Sequence, residues 1–213
     1  MARATTTNQQ INGTYSVQKN QTKFSMAGWM NRLSSGSNTF FGFENNSQQH
    51  RIILYHFTDN VMYFVLRNGD AFTASSSQNI TGWNHWLLSF DGSQTGNANR
   101  VKGYLNGAAL TLAFSGTVNA LTSNNAAVDI FRIGRDIAGN AWATGQFAEL
   151  AMWQEALTAA DALALGKGMT PDKIRPDKLV SYIPLVRDIQ DVRSGTALTD
   201  TSTTVAAHPR VYA

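Results

Sequence analysis

Trp83-Asn-His-Trp-Leu-Leu-Ser-Phe-Asp-Gly92 alternates Trp, Leu and Phe with small or polar residues, and after a turn-rich stretch Arg100-Val-Lys-Gly-Tyr-Leu-Asn-Gly107 alternates again. A period of two sends successive side chains to opposite faces of a strand, so the pair predicts a β-hairpin. Further on, Gln146-Phe-Ala-Glu-Leu-Ala-Met-Trp-Gln-Glu-Ala-Leu157 reads as a strand that runs into a helical turn at Thr158-Ala-Ala-Asp161. These segments set the fold class as all-β with one short helix.

Outward from them, residues 24–30 carry bulky apolar side chains on both alternating sets, which predicts an inner strand covered on both faces. Residues 11–17 are read as an edge strand, and residues 51–57 and 61–66 as strands rich in β-branched and aromatic residues. Asn68-Gly69 is a turn signal, because Gly accepts positive φ without a Cβ clash. Residues 109–114 and 128–133 give two more strands. Thr158 suits a helix N-cap, Asp161 its first turn and Gly166 its end. Residues 169–178 hold Pro171 and Pro176 and are read as an ordered connector. A returning strand then follows in residues 179–185, ended by Pro184.

Composition sets the class of molecule. The 213 residues are 43% hydrophobic and only 15% charged, with five Trp and eleven Phe, which is globular rather than disordered. A net charge of +3 is too small for the dense basic patch of a nucleic-acid binder. There is no cysteine, hence no disulfide and no thiolate metal site. No apolar run approaches the roughly 18 residues of a spanning helix. Residues 1–7 have no apolar run either, so no secretory signal is expected there.

The order of motifs, Trp83 to Gly92, then Tyr104-Leu-Asn-Gly107, then Phe147-Ala-Glu-Leu-Ala-Met-Trp153, resembles the signature of laminin-G-like, concanavalin-A-like domains. The resemblance runs over about residues 24–165 and implies a two-sheet antiparallel jelly-roll sandwich with extended termini. Trp29, Leu88, Tyr104, Leu150 and Trp153 are expected in its interior. The domain plan is a flexible N-terminal arm (1–10), the sandwich (11–185) and a C-terminal extension (186–213) that packs on the sandwich or on a partner. Leu179-Val-Ser-Tyr-Ile-Pro-Leu185, Asp191, Leu198-Thr199 and His208-Pro-Arg-Val211 are similar to the ends of such domains in virion proteins of tailed bacteriophages. That likeness implies a capsid decoration or cement protein on the virion surface, made in the host cytoplasm. Its partner would be the major capsid protein or another virion protein, and it would form a homo-oligomer such as a trimer. The alternative it leaves open is a carbohydrate-binding, lectin-like module of a phage fibre or bacterial surface protein.

Catalysis is not expected. Relatives that cleave glucans place carboxylates at alternate positions of one strand, whereas Glu149 and Glu155 stand six residues apart, roughly 20 Å along a strand. Glycosidase carboxylates lie about 5 to 9.5 Å apart. His50 and His56 lack the short spacing of a zinc pair, and neither His85 nor His208 has a ligand partner in sequence. No resident cofactor is called for. Calcium is the one ion weighed, with Asp91, Asn97 and Asn99, or Asp136 and Asn140, as oxygen donors in loops where the same residues also simply make turns. Trp83 and Trp142 are the aromatic candidates for stacking on a sugar.

Overall fold

The computed structural model describes residues 1–6, 8–33, 39–44, 50–56, 60–68, 73–78, 80–122, 130–135, 143–186 and 189–207. Its strands are β1 (Ala2–Thr5), β2 (Gln10–Thr14), β3 (Lys23–Arg32), β4 (Thr39–Glu44), β5 (His50–His56), β6 (Val61–Asn68), β7 (Thr73–Ser77) and β8 (Gly82–Asp91). They continue as β9 (Val101–Leu105), β10 (Ala108–Ala109), β11 (Ala113–Ser115), β12 (Ile130–Ile133), β13 (Gly145–Trp153), β14 (Leu179–Ile183), β15 (Thr199–Thr201) and β16 (Thr204–Ala206). A single turn, α1 (Asn97–Arg100), and the longer α2 (Ala159–Gly166) are the α-helices among the described residues.

Two antiparallel sheets of eight strands form a jelly-roll sandwich. The front sheet runs β10-β9-β8-β3-β13-β1-β16 with β14 also on β13, and the back sheet runs β11-β7-β6-β5-β4-β12-β2-β15. The hairpin that decided the fold class is the β8–β9 pair, in register from Trp86 opposite Leu105 to Phe90 opposite Val101. Inward positions of the front sheet, such as Met26, Leu88 and Leu150, meet Phe41, Ile52 and Phe64 of the back sheet in the main core.

A second core lies on the outer side of the front sheet. There Leu87, Tyr104 and Trp153 pack under Ala162 and Leu165 of α2 and under Ile174. The Trp153 indole N–H donates to the Ile174 carbonyl at 2.8 Å, so a buried polar group is satisfied. Of the five residues expected inside, Leu88, Tyr104, Leu150 and Trp153 are buried, divided between the two cores. Trp29 is only half-buried. The reason is that β3 is covered on its outer side over Ser25 and Ala27 but open at Trp29 and Asn31, beyond the reach of α2.

The N-terminal end differs from the flexible arm expected there, whereas the C-terminal stretch packs on the sandwich, with β15 on β2 and β16 on β1. Residues 2–5 form β1, paired on one side with β13 and on the other with β16. The Thr5 hydroxyl donates to the Ala143 carbonyl at 2.8 Å. The polar composition of this stretch hid a strand that pairs through its backbone on both sides and buries Ala2 and Thr5. β2 is likewise no edge strand, since β12 and β15 flank it. The Asn68-Gly69 turn and His208 to Val211 lie outside the described residues, except for Asn68 as the last residue of β6.

Candidate functional site

The uncovered half of the front sheet's outer face gathers the chain's most site-like side chains. Register sets Trp29 of β3 opposite His85 of β8 and Asn31 opposite Trp83. All four therefore point outward, since their neighbours Met30 and Trp86 point into the core. Trp29 and Trp83 are diagonal neighbours on adjacent strands, a spacing of about 7–8 Å. Both are half-buried, so each shows part of its indole to solvent.

Polar groups border these rings. The Asn31 side-chain N–H donates to Gln146 Oε1 at 2.8 Å, across the β3–β13 pair. This contact leaves the Gln146 Nε2 donor and the Asn31 Oδ1 acceptor available to a ligand. His85 meets Trp29 edge to face, with ring centroids 5.4 Å apart. It is 2% exposed, and its Nδ1 is buried without a hydrogen-bond partner. Burial holds its pKa down at about 3, so the imidazole is neutral at physiological pH.

The lower border is built by an irregularity in β13. One edge of that strand pairs with β1 at Gly145 to Phe147 and with β14 from Leu150 onward. The register with β3 shifts between Ala148 and Ala151. At this bulge Glu149 takes a positive φ of 53°, its N–H donates to the Pro184 carbonyl at 3.2 Å, and its carboxylate accepts a hydrogen bond from the Tyr182 hydroxyl. Burial raises the Tyr182 pKa and the Glu149 charge raises it further, keeping the phenol protonated. Bulges re-aim a side chain, and here one turns a carboxylate onto the outer face.

The residues singled out from sequence are dispersed. Trp83 lies on this face, and Trp142, Asp136 and Asn140 lie outside the described residues. Asp91 Oδ1 accepts from the Ser93 N–H and hydroxyl at 3.0 and 2.5 Å, and Oδ2 from Gln94 at 3.1 Å. Asn97 clamps the chain near β11, donating to the Gly116 carbonyl at 2.8 Å and accepting from the Val118 N–H at 3.0 Å. Asn99 donates to the Thr95 carbonyl at 2.9 Å. These side chains make turns, and no group of three or more His, Asp or Glu that could hold a metal ion occurs among the described residues. Glu149 and Glu155 do not converge either. Glu155 stands past the end of β13 and pairs with Lys23 at 3.2 Å.

Sequence reasoning missed Trp29, Asn31, Gln146 and the Glu149–Tyr182 pair as site residues. The signal available was the change along β3 from Ser25 and Ala27 to Trp29 and Asn31 at alternate positions. It was not decisive without knowing which half of the sheet α2 covers.

Comparison with known proteins places this geometry. A structure from Bacteroides ovatus ATCC 8483, described as an inferred carbohydrate-binding protein, is similar with a TM-score of 0.72 at 18% identity. That likeness covers 95% of this chain and 58% of that one, so the chain spans little more than half of its length. The Ruminococcus gnavus IT-sialidase CBM40 bound to α2,3-sialyllactose is similar with a TM-score of 0.58 at 16% identity, over 70% of this chain and 85% of that one. The heptameric SAP-like pentraxin of Limulus polyphemus gives 0.54 at 16% identity, over 78% and 80%. At these identities the likeness is one of fold. No curated protein matches the sequence. The laminin G 3 family model does match, over residues 4–162, and the chain belongs to that family of the concanavalin A-like lectin/glucanases superfamily.

Proposed function

We propose that the protein is a non-catalytic, lectin-like module that binds a saccharide on the open half of its front sheet. The observation that carries this reading is the pair of half-exposed tryptophans, Trp29 and Trp83, set side by side next to the Asn31–Gln146 amides. Aromatic faces pack against the C–H face of a sugar ring, and amides exchange hydrogen bonds with its hydroxyls. The fold likeness to a carbohydrate-binding module and to an inferred carbohydrate-binding protein supports it. The carboxylates support the non-catalytic part of this reading: Glu149 is tied to Tyr182, and Glu155 to Lys23 roughly 20 Å along the chain direction.

The virion-surface reading drew on terminal segments that a sandwich would leave to a partner; residues 2–5, 199–201 and 204–206 are instead strands of the sandwich, so the saccharide reading comes first. The test is a glycan array followed by titration calorimetry on the best ligand, with Trp29→Ala and Trp83→Ala beside the parent. Each substitution is expected to weaken binding at least tenfold, about 1.4 kcal/mol, with the unfolding midpoint little changed. Binding that survives both substitutions would place the site elsewhere.

A further inference from the structure

We infer that the saccharide site is elongated, running from Trp83 through Trp29 to Tyr182, and takes a linear oligosaccharide of three or more residues rather than a single sugar; the inference rests on the saccharide-binding reading above. Register puts Trp83 of β8 opposite Asn31 of β3, and Trp29 opposite Ala148 of β13. Ala27 lies opposite Ala151, which in turn faces Tyr182 of β14. Each step from β8 towards β14 therefore also moves towards the Lys23 end of β3, and Trp83, Trp29, Glu149 and Tyr182 follow one another on a single diagonal across four strands. Trp29 to Tyr182 is two strand spacings across and two residues along, roughly 12 Å. With the step from Trp83 to Trp29 the diagonal spans roughly 20 Å, a length that several pyranose rings in file fill and one ring does not.

The Tyr182 end is built to hold a fixed contact. Its ring packs in part against the second core, and its hydroxyl donates to the Glu149 carboxylate. Burial and the Glu149 charge keep that proton on the phenol. With the proton committed to Glu149, the phenol oxygen meets a ligand as an acceptor and suits a sugar hydroxyl. Tyr182 is half-buried, so part of it reaches solvent. Glu149 is delivered by a backbone conformation that side-chain-bearing residues rarely adopt, φ 53° at the bulge. Strain of this kind collects where a site needs the side chain it places, and here it places the group that orients Tyr182. The diagonal is flanked on one side by Ala27 and Leu87, which lie in the second core with α2, and on the other by the Asn31–Gln146 amides. Those amides reach the same ligand from the side, beside the tryptophan end.

The experiment titrates the full chain calorimetrically with glucose, xylose and mannose and with their β-1,4-linked di-, tri- and tetrasaccharides, beside Tyr182→Phe and Tyr182→Ala. In a series that binds, affinity is expected to rise about tenfold from disaccharide to trisaccharide as the chain reaches Tyr182. Tyr182→Phe removes the acceptor and should shrink that ratio roughly fivefold, the worth of one hydrogen bond. Tyr182→Ala should abolish the step. Affinity that does not grow with chain length overturns the elongated site and leaves saccharide binding at the tryptophans standing. A ratio unchanged in Tyr182→Ala, even with both affinities lowered together, overturns the place given to Tyr182. Absence of binding in every series overturns both readings at once.

Discussion

Asp191 is fully buried with both carboxylate oxygens occupied. Oδ2 accepts from the Tyr15 hydroxyl at 2.9 Å and from Ser181 at 2.5 Å, and Oδ1 from the N–H groups of Tyr182, Arg193 and Ser194 at 2.9 to 3.0 Å. One side chain thereby ties the N-terminal half to β14 and to the C-terminal turn. Burial alone would raise its pKa, but the hydrogen bonds from Ser181, Ser194 and Tyr182 outweigh it and hold the carboxyl below its usual range. A depressed carboxyl pKa contributes stability that is present above the unfolded value of about 3.9 and is lost as pH falls through the folded value. His85 acts in the same direction. Its folded pKa near 3 lies below the ordinary 6.5, so the unfolded chain takes up a proton between these values that the folded chain refuses, and stability falls there with pH. Urea unfolding is therefore expected to show declining stability from pH 6.5 downward, steepening below about pH 4. Asp191→Ala should cost about 2–5 kcal/mol at pH 7 by stranding buried donors. A cost under 1 kcal/mol would refute the clasp. None of this was legible in sequence, where Asp191 stood in a tail of little periodicity and its partner Tyr15 lay 176 residues away.

α2 separates what was legible from what was not at the scale of elements. Its start follows from local chemistry: Thr158 Oγ1 accepts the Asp161 N–H at 3.3 Å, and Asp161 returns the contact to the Thr158 N–H at 2.9 Å. That capping box could be read from four residues. Gly166, read as the residue that ends the helix, is its last helical residue, and Lys167 caps it with φ −86°. Gly166 is needed for close approach, because a Cβ there would come within 2.5 Å of the Gly107 backbone nitrogen in the turn between β9 and β10. Docking of the helix at this point leaves Trp29 and Trp83 uncovered. Gly166→Ala is expected to destabilise the protein by about 1–3 kcal/mol in denaturant titration, through displacement of the helix or the turn. A neutral or stabilising outcome, as for an ordinary exposed helix position, would contradict that packing. The bulge in β13 was also hidden, since Gln146 to Trp153 alternates well enough to pass for a regular strand.

Across the whole molecule, the sandwich closes with its own termini. β15 and β16 follow one another in sequence yet pair with β2 in the back sheet and β1 in the front sheet, so the C-terminal stretch bridges both layers. Removing residues 1–6 deletes β1 and its hydrogen bonds to two neighbours. The shortened chain is expected to lose on the order of 2 kcal/mol or more, read as a lower midpoint in thermal or chemical unfolding. An unchanged midpoint would restore the picture of a dispensable arm. The two-sheet architecture was legible because alternation and turns report local backbone, and the motif order extended it over most of the chain. The integration of the ends was not, because backbone pairing of Thr- and Ala-rich strands leaves little trace in hydrophobic pattern. A saccharide held on the open half of the front sheet is tested most directly by titrating the isotope-labelled protein with the saccharide chosen by the array and following its NMR spectrum. The indole N–H signals of Trp29 and Trp83 and the side-chain amides of Asn31 and Gln146 are expected to shift together along one binding curve. Shifts confined to the Asp91 to Arg100 turn, with those four residues unmoved, would contradict it.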